Sequence, residues 1–184
     1  MNKTNQELYY ERTPVLETER LILRPITPED AEDIFLWVTD ERVTKFMTYS
    51  TYKNIEEVYK FICEIIPNSN EYHWGIALKE THNHLIGSIS IEFRDKYNAW
   101  NFGYNLNFDY WGCGYATEAA QRMIKFAHDE LGARDFCATH AVKNPASGRV
   151  MEKCGLKFEH FREFSKNDGS ETFKAKFYTM HLNK

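Results

Sequence analysis

The chain has 184 residues, 42% hydrophobic and 27% charged, which fits one soluble globular domain able to bury roughly 70% of its unfolded surface. Its 23 basic and 27 acidic residues leave a net charge of −4, which argues against a general nucleic-acid binder. Four cysteines (Cys63, Cys113, Cys137, Cys154) stand singly, without a Cys-x-x-Cys pair, so neither a metal site nor a disulfide framework is expected. No signal-like leader and no apolar run of about 18 residues occurs, so the expected location is cytoplasmic and off the membrane.

In chain order, residues 1–17 read as an arm and 18–184 as one domain without repeat or linker. "RLILRPI" (20–26) alternates as a first strand. "TPEDAEDIFLWV" follows as a helix with Thr27 as N-cap, Pro28 in its first turn, and Ala31, Ile34, Phe35 and Val38 as an apolar stripe. A second helix is expected from about Asn54 to Ile66. "YHWGIALKETHNHLIGSISIEF" reads as a hairpin turning at 81–84. The next strand, "WNFGYNLNF", carries Trp100, Phe102, Tyr104, Leu106 and Phe108 on one face. The clearest helix spans about Thr117 to Leu131, with Glu118, Arg122, Lys125 and Asp129 facing out. "DFCATHAV" is a further strand, and a short helix follows with Asn144 as cap, Pro145 in first position and Gly155 as terminator. Two strands, about 158–164 and 171–182, end the chain. The order β-α-α-β-β-β-α-β-α-β-β predicts an α/β (α+β) domain with a central mixed, mostly antiparallel sheet and about four helices.

Between the aromatic strand and the long helix stands "DYWGCGYATEAA" (109–120). A glycine-rich turn that opens a helix presents unpaired N–H groups, and the helix dipole adds roughly half a positive charge there. Glycines let a backbone approach a ligand without a Cβ clash. Glycine spacing alone fits a phosphate loop and a plain tight turn equally well. The dinucleotide fingerprint and the Walker loop are set aside, because the third small residue of the first and the Gly-Lys-Ser/Thr of the second are missing.

Trp111-Gly112-Cys113-Gly114-Tyr115-Ala116 resembles the acetyl-CoA pyrophosphate loop of the GNAT superfamily of N-acetyltransferases, Gln/Arg-x-x-Gly-x-Gly/Ala, with Trp111 in place of Gln/Arg. That departure and the following Thr117-Glu118-Ala119 resemble the branch of ribosomal-protein N-terminal (alanine) acetyltransferases. "TERLILRPITPEDA", "LIGSISI" and "NPASGRVMEKCGLKFE" agree in order and spacing, so the resemblance covers roughly residues 17 to 182. It implies acetyl-CoA as co-substrate, held by the N–H groups of Gly112, Cys113, Gly114, Tyr115, Ala116 and Thr117 beside Trp111. It also implies a pantetheine arm pairing with the preceding strand at Leu106, and Asn144 near that arm or an ordered water. A homodimer is allowed by it as well.

Transfer of an acetyl group to an amine needs a base for the amine and a proton for the departing thiolate. Where many relatives place a tyrosine acid, this chain has Met151. The branch resembled here has a serine three residues after the asparagine, which makes Ser147 the candidate acid. The family's glutamate at the start of the cofactor strand is Asn101 here, so Glu92, sharing a polar face with Ser88 and Ser90, is the candidate base. Each has a plainer reading: Asn144 caps its helix, Ser147 satisfies backbone, and Glu92 is a solvated strand-end carboxylate. Cys113 at a helix N-terminus would have a lowered pKa, yet no neighbouring histidine supports a covalent route. Phe46, Met47 and Tyr49 are expected to line the acceptor cleft.

The expected function is therefore acetyl transfer to a primary amine by direct attack in a ternary complex. A protein N-terminal α-amine is favoured over a small-molecule amine. The rival is a catalytically weak CoA-binding sensor or scaffold, which Met151 and Asn101 mildly favour.

Overall fold

The computed structural model describes residues 3–81 and 83–183; Met1, Asn2, His82 and Lys184 lie outside them, and with these the ends of the chain and part of the expected 81–84 turn. The strands are β1 (Leu16–Glu17), β2 (Leu21–Pro25), β3 (Tyr72–Leu78), β4 (Leu85–Arg94), β5 (Ala99–Leu106), β6 (Asp135–Ala141), β7 (Lys157–Ser165) and β8 (Thr172–His181). They form one sheet in the order β1-β2-β3-β4-β5-β6-β8-β7. Every neighbouring pair is antiparallel except β5 and β6. The expected mixed α/β architecture is what the chain adopts.

The four helices read from the sequence are α2 (Ala31–Val38), α4 (Ile55–Lys60), α6 (Tyr115–Leu131) and α7 (Pro145–Lys153). α1 (Asn5–Arg12) and α3 (Glu41–Thr44) raise the number above the expected four, and α5 (Ile66–Asn68) completes the second expected helix. α5 continues α4 through a π-helical turn at Phe61–Ile65. α1 lies in the stretch read as an arm. It begins with a capping box between Thr4 and Glu7 and buries Tyr9 completely. The Tyr9 hydroxyl donates to the His73 carbonyl (2.8 Å) and accepts from the Ile26 N–H (2.8 Å), tying the segment to β3 and to the end of β2.

The two faces of the sheet are covered differently. On one, α6 lies against Leu23, Trp74, Ile89, Phe102 and Phe136 through Met123 and through Ala119, Ala120 and Ala127, small residues that let helix and sheet approach closely. On the other, α1, α2 and α4 bury Ile26, Ala77 and Leu85 under Ile34, Trp37, Val58 and Ile62. Trp37, rather than the expected Phe35, fills the α2 stripe. The cover stops over the middle of the sheet. There Ser88, Ser90 and Glu92 of β4 stand opposite Asn105, Gly103 and Asn101 of β5, and share a face that is mostly polar. β4 and β5 approach closely at Gly87, where a Cβ would lie 2.3 Å from the Asn105 carbonyl oxygen.

β5 and β6 pair only at Trp100↔Phe136 and Asn101↔Cys137. From Phe102 and Ala138 onward the two parallel strands separate, and the wedge between them opens toward the end of β5 that feeds the glycine turn.

Candidate active site

At the open end of the wedge the chain passes from β5 through a short 3-10 turn (Phe108–Tyr110) into Trp111–Gly114 and then α6. Phe108, expected on the strand, belongs to that turn. Gly112 and Gly114 have φ of +78° and +86°, left-handed values that a side chain opposes, so glycine is required here by conformation. Gly114 caps α6 without a side chain. The first internal helix bond is Glu118 N–H to Gly114 carbonyl (3.1 Å), and no N–H from Gly112 to Thr117 pairs with another described group. Six consecutive amides are thus left for something outside the chain.

Three side chains fix this turn. The Trp111 indole N–H donates to the Leu106 carbonyl (2.9 Å), folding the turn back onto the last residue of β5, and its ring meets Phe108 at 5.0 Å. Arg20, at the entry to β2, donates from Nη1 to the Cys113 carbonyl (3.0 Å) and from Nε to Glu118 (2.7 Å), and lies 4.5 Å from the Tyr115 ring centroid. Glu118 accepts further bonds from Thr18 Oγ1 (2.6 Å) and the Arg20 N–H (3.0 Å). Glu118, expected to face solvent, is therefore a structural anchor. Burial alone would raise its pKa, but the bonds from Thr18 and Arg20 outweigh burial and lower it. The Cys113 thiol is exposed, with the Trp111 carbonyl 3.7 Å away.

A cleft of about 950 Å³ runs from this turn into the wedge and across the polar face of the sheet. α7 forms one wall. Asn144 caps it, its Oδ1 accepting from the Ser147 N–H at 3.4 Å. The Ser147 hydroxyl lies 2.8 Å from the Tyr104 hydroxyl, which also donates to the Ser147 carbonyl (2.9 Å). Tyr104 comes from the aromatic strand whose stripe reads as sheet core, but its hydroxyl end reaches the cleft. Burial pushes its pKa well up, so it stays protonated. Met151 is buried in the core beneath α7.

Glu92 lies on the cleft floor and forms an ion pair with Arg94. Burial raises its pKa, the charge of Glu71 raises it further, and Arg94 opposes both. Burial would also raise Glu71, but bonds to His73 and Ser90 and the nearby charges hold it low. Glu71, His73, Ser90, Glu92 and Arg94 form one polar cluster at the end of the floor remote from the glycine turn. Along β5 that separation, from Leu106 to Asn101, is about 16 Å. The side walls are aromatic. Phe46, Met47 and Tyr49 line the cleft, and Phe46 packs edge-on against Phe173 of β8 at 5.7 Å. Lys166, in the β7–β8 turn, donates to the carbonyls of Thr44 (3.1 Å) and Tyr49 (3.3 Å), strapping that turn to the segment after α3.

The sequence model of the acetyltransferase (GNAT) domain matches residues 20–157. The chain belongs to the GNAT acetyltransferase family. This acetyltransferase is 31% identical over 150 residues to the uncharacterized N-acetyltransferase YoaA of Bacillus subtilis, an alignment covering 79% of this chain and 84% of that protein. Its fold superposes on a GNAT-family acetyltransferase from Bacillus anthracis with a TM-score of 0.80 at 25% identity, covering 91% of this chain and 98% of the other. A putative ribosomal-protein-serine acetyltransferase from Vibrio cholerae gives 0.77 at 22% identity, covering 92% and 98%. The microcin C7 self-immunity acetyltransferase MccE, solved with acetyl-CoA and AMP, gives 0.77 at 19%, covering 90% and 94%.

Among the described residues no cluster of three or more His, Cys, Asp or Glu could hold a metal ion, and no helix is long and apolar enough to cross a membrane. Sequence reading missed Tyr104, Glu71, His73 and the Arg20–Glu118 clamp. Each depends on strand register or on a contact across 40 or more residues, which no local pattern encodes.

Proposed function

We propose that this acetyltransferase transfers the acetyl group of acetyl-CoA directly to a primary amine. The observation that carries the reading is the row of unpaired amides from Gly112 to Thr117 at the mouth of a wedge between β5 and β6. Those N–H groups, at the positive end of α6, suit a diphosphate. The wedge suits an extended pantetheine arm lying against β5 at Leu106, with Asn144 beside it.

Chemistry is then shared between the two sides of the cleft. The amine attacks the thioester carbonyl carbon, and the carbon–sulfur bond breaks as the carbon–nitrogen bond forms. Ser147, hydrogen-bonded to Tyr104, hands a proton to the leaving sulfur, and Tyr104 can resupply it. Glu92, with its raised pKa, takes the proton released by the amine directly or through water. An α-amine has a pKa of about 7.7–8.0 against about 10.4 for lysine, so it needs less help from a base that is already partly engaged by Arg94. This favours a polypeptide N-terminus or another α-amine as acceptor, with other small-molecule amines next. The ribosomal-protein-serine neighbour supports the same order. The protein works in the cytoplasm, where acetyl-CoA is made and used.

Thiol release from acetyl-CoA, measured across N-terminal peptides, amino-acid derivatives and polyamines, tests the reading. Amine-dependent release with a preference for α-amines is the expected result. Tight binding of CoA with no release for any amine would instead make the protein a CoA sensor.

A further inference from the structure

Arg162 of β7 is half-buried in the cleft wall, and its guanidinium lies 5.1 Å from the ring centroid of Tyr97 and 5.3 Å from that of Phe177. It makes no ion pair or hydrogen bond to another described residue, although such a cation, partly withdrawn from water, gains from a counter-ion. The register sets its direction. Arg162 stands opposite Ala175, Ala175 opposite Ala141, and Ala141 shares a face with Thr139 and Cys137, which continues the polar floor from Asn101. Arg94, from the other side, forms an ion pair with Glu92 through one nitrogen and keeps further N–H donors free. Both guanidiniums draw down the pKa of the Cys137 thiol, against a burial that nonetheless leaves it at about 11, so both stand near the same part of β6. Lys96, 5.6 Å from the Tyr97 ring centroid, adds a third cation at the rim.

The two arginines stand at the floor's end next to Glu92, one strand repeat of about 7 Å along β4 from Glu92 to Arg94. On the reading of Glu92 as the group that meets the amine, a molecule with its amine at Glu92 places atoms a few bonds away beside Arg94 and Arg162. A guanidinium fork matches the two oxygens of a carboxylate or phosphate. We infer that the acceptor is an amine bearing an anionic group a few bonds from its nitrogen, and that Arg162, with Arg94, is the subsite for that anion. This deepens the proposed acetyl transfer and rests on it for the position of the amine. A carboxylate or phosphate is the shared chemistry, and three sources provide it: a free amino acid, an acidic side chain following a peptide N-terminus, or a phosphorylated small amine.

Three matched pairs separate the sources: alanine against alaninamide, an Ala-Glu against an Ala-Gln dipeptide amide, and O-phosphoethanolamine against ethanolamine. The expected result is a preference for the anionic member of at least one pair by about tenfold in kcat/KM, the size of one charge-assisted hydrogen bond. The pair with the largest ratio identifies the source. Arg162→Gln should bring that ratio close to one, mainly through KM, and Arg162→Lys should restore part of it. Equal rates within all three pairs in the parent protein, or a ratio that survives Arg162→Gln, overturn the inference. Calorimetric binding of the same compounds in the presence of CoA is the second readout. Loss of thiol release with every amine but Arg162-dependent binding of the anionic members would bring down the transfer reading and leave the anion subsite standing.

Discussion

The two ends of the cleft are built on opposite plans. At the glycine turn, recognition is a property of the backbone: six amides, two left-handed glycines, and side chains such as Arg20 and Trp111 that only hold the main chain in place. At the far end the lining is made of side chains: Glu71 just before β3, His73 of β3, Glu92 and Arg94 of β4, and Arg162 of β7. A backbone site suits a ligand part that never varies, as the diphosphate of the proposed acetyl donor would be, because no substitution short of a change in conformation alters it. A side-chain site can be retuned by single substitutions, which suits an acceptor that differs between relatives.

That contrast can be broken most sharply at Gly114. Valine there would force a β-branched residue to a φ near +86°, a strain of roughly 1–3 kcal/mol that the turn must relieve by moving its amides. Acetyl-CoA affinity should fall on the order of 100-fold by calorimetry. Unaltered affinity would show that the amides are not the phosphate ligand.

The next largest effect belongs to the wall between the two ends. Ser147→Ala and Tyr104→Phe should each lower kcat by roughly 100-fold, the lower range for general acid catalysis, while acetyl-CoA affinity stays within a few-fold. Turnover equal to the parent in Ser147→Ala would remove Ser147 from proton delivery.

At the acceptor end, the raised pKa of Glu92 has a definite sign. Glu92 is a base only when ionised, so kcat/KM should begin to fall on acidification at a higher pH than an ordinary glutamate would allow. Glu92→Gln should lower the rate and flatten that acidic limb. Because an α-amine is partly unprotonated near neutrality, the loss should be smaller than for Ser147 and larger for a lysine-like amine. An unchanged acidic limb in the variant would assign the base elsewhere.

The smallest effect is expected at the clamp. Arg20→Ala removes the donor to the Cys113 carbonyl and one partner of Glu118, but the Arg20 side chain is exposed and Glu118 keeps its bond from Thr18. KM for acetyl-CoA should rise by roughly fivefold, the upper range for an exposed ion pair, with kcat little changed. A fall in kcat with constant KM would place Arg20 in the chemistry instead.

How much was legible follows the same division. Gly112 and Gly114 signal a left-handed turn by residue type, and Thr27, Asn54, Asn144 and Gly155 mark helix ends by local bonding, so most elements and the glycine turn are legible one segment at a time. α1 is hard to see in the sequence because its helix signal is a capping box and one buried tyrosine rather than an apolar stripe. Glu118 looks solvent-facing in the sequence because its spacing fits the outer face of α6; its partners Thr18 and Arg20 lie 100 and 98 residues earlier. Tyr104 reads as core in the sequence because it alternates with Trp100, Phe102, Leu106 and Phe108, and only the proximity of α7 reveals its hydroxyl's partner.

By itself, then, the sequence determined the strand and helix order and the glycine turn that opens α6, since conformational preference and capping act over a few residues. The tertiary structure decided where β5 and β6 part, which carboxylates share a polar cluster, and that Arg162 faces the cleft without a counter-ion among the described residues. Those depend on register and on distances between strands far apart in the chain, where a shift of one residue would turn each of these side chains to the opposite face.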